Sequence, residues 1–347
     1  MPTEIDSITD ISNLTRTARK KGEIVSASLD LTEYFVLPKF AVDSAKRTSV
    51  GGGTYSEWPV KIIVGQTAAH VGHDTPDTAT TTNSTIMGSI KWRKLTANWT
   101  WDLEEQSVNS GSAEQMYDYV ALQRLSMEEA LVEEMEEAFV KKPTDSNDDT
   151  SPMGLPYWYV KHATTGFYGG NPAGFSAGAG NINATTYDRW RNYTGTYQNI
   201  SAADLLLSLR KAFRKTSFKA PVPVAGQIAG GLTRDILTND DVILELEELL
   251  RTQNENLGVD LVRWVDRVIL NGFMVTSMPI LNADTEDPVY FVSWDALKLM
   301  VHGEWWMKET PPLRHPEFHN RFTTFSDTRY NWVCKNRRTG GVLHNPA

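Results

Sequence analysis

A long amphipathic run between Ser112 and Lys142 constrains this chain more than any other feature. Met116, Val120, Met127, Leu131, Met135, Ala138 and Phe139 recur at the spacing of one helical stripe. Glu128, Glu129, Glu133, Glu136 and Glu137 fall mostly on the opposite side, as a solvated face would. Ser112 with Gln115 makes a capping-box start, Lys141 and Lys142 complement the negative end of the helix dipole, and Pro143 stops the helix. Such a helix would be roughly 45 Å long. That is more than an ordinary compact unit needs, so the run reads as a spine.

What flanks the spine is extended. Residues 1–48 read as a polar arm with one apolar run, Leu31 to Phe40, stopped by Pro38. The basic cluster Arg16, Arg19, Lys20 and Lys21 is short and flanked by acids, so the arm is expected to be solvated and to order on a partner. Gly51, Gly52 and Gly53 lack the Gly-Lys-Ser/Thr ending of a phosphate loop and read as a hinge. Pro59–Val64 and residues 86–103 look like two strands around a Thr/Gly/Pro/Asp-rich tip, an extended β-hairpin. In its second strand Ile90, Trp92, Lys94, Thr96, Asn98 and Thr100 share one face. Lys91, Arg93, Leu95, Ala97, Trp99 and Trp101 share the other. Neither face is cleanly apolar, which suits a ribbon lying across a neighbour.

Beyond the spine come a loop (143–152) and a Gly- and aromatic-rich stretch to Asn192. Helices are expected at about 201–215 and 238–253, separated by the non-helical FKAPVPVAG. Short strands follow around Val268–Leu270, Val275–Leu281 and Val289–Val292, then a helical turn at Ala296–Val301. The end alternates like two antiparallel strands with a Gly340-Gly341 turn after them. There is no internal repeat.

Composition removes several function classes. The 347 residues are 40% apolar, too apolar for a mainly disordered chain. No run approaches the ~18 apolar residues of a membrane span. The start has no apolar core of a secretory signal, and the single Cys334 excludes an internal disulfide and a cysteine-based zinc site. With 34 Lys+Arg against 43 Asp+Glu, a net charge of −9 argues against a general polyanion binder. The expectation is a soluble intracellular chain of two to three subdomains. Its 11 Trp, 12 Tyr and 12 Phe are either interface anchors or sugar platforms.

Candidate chemistry is sparse. His70, His73 and Asp74 sit at the hairpin tip with no third strong ligand placed by a motif, and read as loop residues. His315 and His319 have helix-ligand spacing, but Pro311, Pro312 and Pro316 argue against a helix there. Catalytic carboxylate pairs come from separate elements facing a cleft, whereas the spine glutamates crowd one face. No nucleophile elbow, zinc-protease or dinucleotide motif is present, and Cys334 reads as a small structural residue. The N-x-[ST] sequons at Asn13, Asn83, Asn98, Asn183, Asn192 and Asn199 are incidental without a secretory route. The expectation is therefore no enzyme, no cofactor and no metal. Arms and ribbons cannot bury themselves, so Leu31, Tyr34, Phe35, Trp58, Trp92, Trp99 and Trp101 are candidate contacts to other subunits.

The order of arm, glycine hinge, hairpin, acidic spine helix, mixed α/β segment and terminal strands resembles tailed-phage major capsid proteins of the HK97-like fold. The strings GLPYWYVKHATTGFYGGNPAGFS, NINATTYDRWRN, FRKTSFKAPVP, TNDDVILELEELLRTQNENLG, ADTEDPVYFVSWDALK and YNWVCKNRRTGGVL carry the resemblance in that order. NATTYDRWRN and VCKNRRTGGVL are the most specific, and the likeness runs from about residue 25 to the end.

The resemblance implies an α+β chain with an N-arm (1–50), an E-loop (51–108), a P-domain (109–199 and 306–347) and an A-domain (200–305). It implies self-assembly through pentamers and hexamers into a virion shell around double-stranded DNA, without sequence-specific binding and with no membrane. Portal, scaffolding and possibly decoration proteins would be its partners, and assembly would occur in the host cytoplasm. The chain lacks the long scaffolding extension of some relatives, so a separate scaffold is expected. No motif identifies a Lys–Asn crosslinking pair among Lys61, Lys91 and Lys94, so none is expected. A carbohydrate-active enzyme or lectin-like module, suggested by the Trp content and acidic balance, is the alternative.

Overall fold

The computed structural model describes residues 34–36, 39–40, 47–62, 70, 73, 84–104, 119–217, 233–253, 268–270 and 272–346. Leu31, the basic cluster of the arm, Asp74, the Ser112–Gln115 cap, Met116 and the segment FKAPVPVAG lie outside the described residues, as does the Val120 side chain.

In chain order the elements are β1 (Arg47–Val50), β2 (Tyr55–Lys61), β3 (Thr85–Lys91), β4 (Arg93–Asp102) and α1 (Tyr119–Val140). Then come β5 (Gly166–Gly169), β6 (Asn192–Thr196), α2 (Leu205–Thr216), β7 (Arg234–Thr238) and α3 (Asp240–Gln253). β8 (Val268–Leu270), β9 (Phe273–Ser277), β10 (Val289–Ser293) and β11 (Leu297–His302) follow. The chain ends with β12 (Lys308–Glu309), β13 (Leu313–Arg314), β14 (Arg321–Cys334) and β15 (Gly341–His344).

The spine helix forms over 22 described residues, about 33 Å of axis, and buries Met127, Leu131, Met135, Ala138 and Phe139 as the spacing predicts. Its acidic side is not uniformly solvated. Glu136 is buried and accepts the Val36 N–H, and Glu133 accepts the Tyr34 hydroxyl at 2.8 Å. Two of the glutamates read as a water-facing stripe therefore hold the arm.

The two-stranded ribbon β2–β3 is antiparallel, with Trp58 opposite Gly88. The expected single strand over 86–103 is instead two. Gly88 and Ile90 are covered in β3, whereas Arg93 and Trp99 are the buried residues of β4, so the inward parity switches across Lys91–Trp92. One alternation drawn through both strands puts Ile90 on the wrong side. A strand whose inward residues change parity mid-course has changed sheets, because side chains alternate strictly along one.

β4 pairs along its whole length with β14, Arg93 to Tyr330 and Asp102 to Arg321. The other edge of β14 takes β11, then β12, then β13, and β1 adds parallel to β11. The helical turn expected at Ala296–Val301 is strand β11, paired with β14 on one side and β1 on the other and mostly buried, with Lys298 the one half-covered residue. The two terminal strands expected near the end are one strand of 14 residues. After it the chain crosses to the second sheet, of order β5-β6-β15-β10-β7-β9-β8, where β15 lies between β6 and β10. Gly340 and Gly341 are not a hairpin turn. A Cβ on Gly341 would stand 2.2 Å from the Tyr193 carbonyl oxygen, so only glycine lets β15 approach β6.

One face of the seven-stranded sheet, with Leu237, Tyr290, Val292 and Val342, joins the main core shared by α1, the ribbon and the six-stranded sheet. The other face, with Ile236, Phe291 and Leu343, is covered by α2 and α3. Strands from both sides of the 199/200 and 305/306 boundaries share each sheet, so divisions drawn along the chain cut across the hydrogen-bonded units. Cys334 is fully buried with its thiol 3.8 Å from the Tyr159 hydroxyl, and burial pushes that thiol up to about 11.

Candidate assembly surfaces

The arm residues nearest the body are held by their own chain. Phe40 is fully buried between Phe139 of α1 (5.6 Å between ring centroids) and Trp294 (5.3 Å). Phe35 stacks on Phe139 and contacts Trp294. Lys39 pairs with Asp235 of β7 and lies over the Trp294 ring at 5.1 Å, while the Trp294 indole N–H donates to the same carboxylate at 2.8 Å. Burial and the hydrogen bond to Glu133 push the Tyr34 phenol up to about 12. The reading that Tyr34 and Phe35 wait for a partner is corrected here: this stretch ties α1 to the seven-stranded sheet.

The ribbon residues divide. Trp58 is 3% exposed, packs edge-on against Trp158 at 6.2 Å, and fits because Gly88 and Gly180 present no side chain to its ring. Val60, Ile62 and Ile90 join it in the main core, so the described part of the hairpin lies on its own subunit. Trp99 is also buried, and Trp101 stacks on Phe322 across the β4–β14 pair at 5.1 Å. Trp92 is half-buried, its indole N–H donating to the Gly53 carbonyl at 2.9 Å and its ring edge-on to His302. For Trp58 and Trp99 the expectation of cover from a neighbour is thus corrected, because both are buried within their own chain, Trp58 against Trp158 and Gly180 and Trp99 beside Trp101. Gly51, Gly52 and Gly53 are exposed and join β1 of the six-stranded sheet to β2 of the ribbon, with Gly53 at φ +91°.

The Trp58–Gly88 fit is testable. A Cβ at Gly88 would stand 2.8 Å from two atoms of the indole, which Trp158 holds from behind. Gly88→Ala is expected to cost about 1–3 kcal/mol and to shift the tryptophan emission of the unassembled chain. An unchanged urea midpoint and spectrum would show that the ribbon does not press on the core.

Sequence reasoning on single residues missed the most organised polar site, although the strings NATTYDRWRN and VCKNRRTGGVL contain it. Arg337 is fully buried and donates to the carbonyls of Trp158 (2.7 Å), Trp190 (3.0 Å) and Gly170 (2.9 Å), and to Asn192 Oδ1 (2.9 Å). No carboxylate is among these acceptors, and burial pulls the guanidinium down to about 10. Asn192 in turn accepts from Val160 N and donates to the Val160 and Tyr193 carbonyls. Trp190 donates to the Ala179 carbonyl at 2.8 Å. This network ties β6 to the turn Leu155–Trp158 and to the chain just before β15.

A catalytic arrangement does not emerge from these parts. Two surface grooves stand out among the described residues; the larger of these, about 420 Å³, is lined by Asn98, Thr100, Leu313, Arg314, His315 and neighbours without a carboxylate. The smaller, about 310 Å³, contains one acid, Asp284, which is paired with Lys161 at 2.6 Å. His70 and His73 are exposed, and among the described residues no three His, Cys, Asp or Glu side chains gather as a metal site. Among the described residues no helix is long and apolar enough to cross a membrane.

This architecture, two mixed sheets braced by one long helix with a separate ribbon, is a known capsid-subunit fold. The capsid of the empty GTA particle matches over 94% of this chain and 95% of its own, with a TM-score of 0.59 at 12% identity. The capsid of Myoviridae phage XM1 matches over 95% and 98% (TM-score 0.52, 13% identity), and Gordonia phage Cozz over 100% and 98% (0.51, 14%). No protein-family model and no curated protein sequence matches the chain. At these identities the likeness establishes the fold, and it spans the whole length of the neighbours.

Proposed function

We propose that this chain is a major capsid protein of the HK97-like type. It assembles through pentamers and hexamers into the icosahedral shell that encloses packaged double-stranded DNA. The observation that carries this reading is the end-to-end match to capsid subunits, covering nearly all of both chains. That support comes from the fold, and the near-complete coverage of both chains is what favours a shared structural role.

The aromatic residues favour the same reading. Trp158, Trp190 and Trp332 are fully buried in the main core, and Trp58 and Trp99 nearly so. These five serve packing within the chain and are withdrawn from any sugar-binding surface. Residues 1–50 as N-arm, 51–108 as E-loop and the P- and A-domain division remain part of the proposal. In it the Gly51–Gly53 link lets the ribbon turn against the six-stranded sheet, and Trp92 and Trp101, the less covered tryptophans of this region, face neighbouring subunits. Portal, scaffolding and decoration proteins complete the proposed partner set.

The purified chain is expected to elute as megadalton particles that show shells under negative-stain microscopy. A monodisperse monomer that binds or hydrolyses a glycan would overturn the proposal. Boiled, denatured particles are expected to run as a single monomer band, in keeping with the absence of a crosslinking motif.

A further inference from the structure

The seven-stranded sheet carries α2 and α3 on the face turned away from the main core, and their outer sides carry stripes of opposite sign. On α2, Leu207, Arg210, Lys211 and Arg214 follow the i, i+3, i+4, i+7 spacing of a single stripe, and all four are exposed. On α3, Asp241, Leu244, Glu245 and Glu248 follow the same spacing and are exposed as well. Each stripe includes one leucine left in water, Leu207 at the N-terminal end of the α2 stripe (43% exposed) and Leu244 one turn into the α3 stripe (61%). The opposite sides are already used: Leu205, Leu209 and Phe213 of α2, and Val242 and Leu246 of α3, fill the second core. None of the six charged side chains enters an ion pair among the described residues.

We propose that the α2 stripe of one copy docks on the α3 stripe of a second copy, head to tail around a ring. This rests on the shell-subunit reading and names the contact that sets the order of subunits within a capsomer. When the α2 stripe of one copy meets the α3 stripe of the next without the reverse contact, the pairing is heterologous and generates a closed ring when the rotation closes; a reciprocal pairing would close as a two-fold dimer, and a dimer as the end product overturns the inference. Two α2 stripes, or two α3 stripes, repel each other, which disfavours a two-fold dimer through either helix. A single exposed ion pair adds little, but three opposed charges steer the approach and fix the register, and ring closure multiplies a weak contact. Leu207 and Leu244 add one exposed apolar side chain to each charged stripe.

The test is charge reversal in the full chain. One variant carries R210E, K211E and R214E; another carries D241K, E245K and E248K; a third carries all six. The changes lie on solvated helix faces, and circular dichroism and melting of the unassembled chains confirm folding. Each three-site variant is expected to lose assembly ~tenfold or more, and the six-site variant to recover it.

Mixing the two three-site variants gives a sharper readout. One has two acidic stripes and the other two basic ones, so they must alternate, and alternation closes only in even-numbered rings. Hexamers are expected, with neither pentamers nor closed shells. Three other results overturn the inference while leaving the shell reading intact: both three-site variants assembling like wild type, no recovery in the six-site chain, or loss confined to the α2 variant. The last would assign the basic stripe to nucleic acid. A wild-type chain that forms no particles even with a scaffolding protein present overturns the shell reading itself.

Discussion

Replacing Arg337 by methionine is expected to destabilise the chain by about 3–5 kcal/mol, enough to send much of it to the insoluble fraction on expression. The argument is one of acceptors rather than of charge. Methionine fills a similar volume but leaves the carbonyls of Trp158, Trp190 and Gly170 without the donor they share. All three lie where the turn Leu155–Trp158, the approach to β6 and the approach to β15 meet, so loss of one side chain loosens both partners of the parallel β6–β15 pair. Arg337→Lys is expected to recover less than half, because one ammonium cannot reach four acceptors spread around a planar fork. Urea unfolding of the unassembled chain measures this. A methionine variant within ~0.5 kcal/mol of wild type would mean the acceptors find water, and the site would be packing alone.

Phe40→Ala is expected to cost about 3–5 kcal/mol in the same assay, before any assembly takes place. Phe40 has no solvent exposure and two aromatic neighbours from different parts of the fold, Phe139 and Trp294. Its removal opens a cavity between α1 and the sheet and frees Trp294, which also anchors Asp235. Tyr34→Phe is the calibrating control, since it removes only the hydroxyl bonded to Glu133 and is expected to cost about 0.5–1.5 kcal/mol. If the arm ordered only on a neighbouring subunit, neither change would register in the isolated chain. Both would then appear only as lost assembly.

The arm shows where sequence reasoning succeeds and where it stops. The spine helix was legible because Met127, Leu131, Met135 and Phe139 repeat at a helical period, and periodicity is local information. α2 and α3 were legible for the same reason, and β8 and β10 as short apolar runs rich in β-branched residues. Glu136 was not, because an acid on the polar side looks solvated until a Val36 amide arrives from a hundred residues away. β11 was taken for a helical turn because a short apolar run has no period of its own, and only β14 and β1 decide its state.

The change of parity at Lys91–Trp92 left almost no local mark, since Trp92, Arg93 and Lys94 all suit a strand. A polar residue such as Arg93 on the buried side was the one available signal, and it is explained by its bonds to Asp149 and to the carbonyls of Asp148 and Ser151. Arg337 was invisible residue by residue. It sits in a polar run, KNRRTGG, where a solvated arginine is the ordinary reading, and only the likeness of the whole string set it apart.

The position of β14 and β15 in the chain has a consequence for biosynthesis. β14 follows β4, β11, β12 and β13, and β15 follows β6 and β10, so each sheet has an interior strand that is translated after every strand it joins. A nascent chain on the ribosome therefore holds β4 and β6 with an open edge until the final strands emerge, and neither core can close early. A polypeptide released short of β14 leaves β4 and β11 unjoined in one sheet and β6 and β10 unjoined in the other, so both cores stay open. Completion of synthesis and closure of the two cores become the same event.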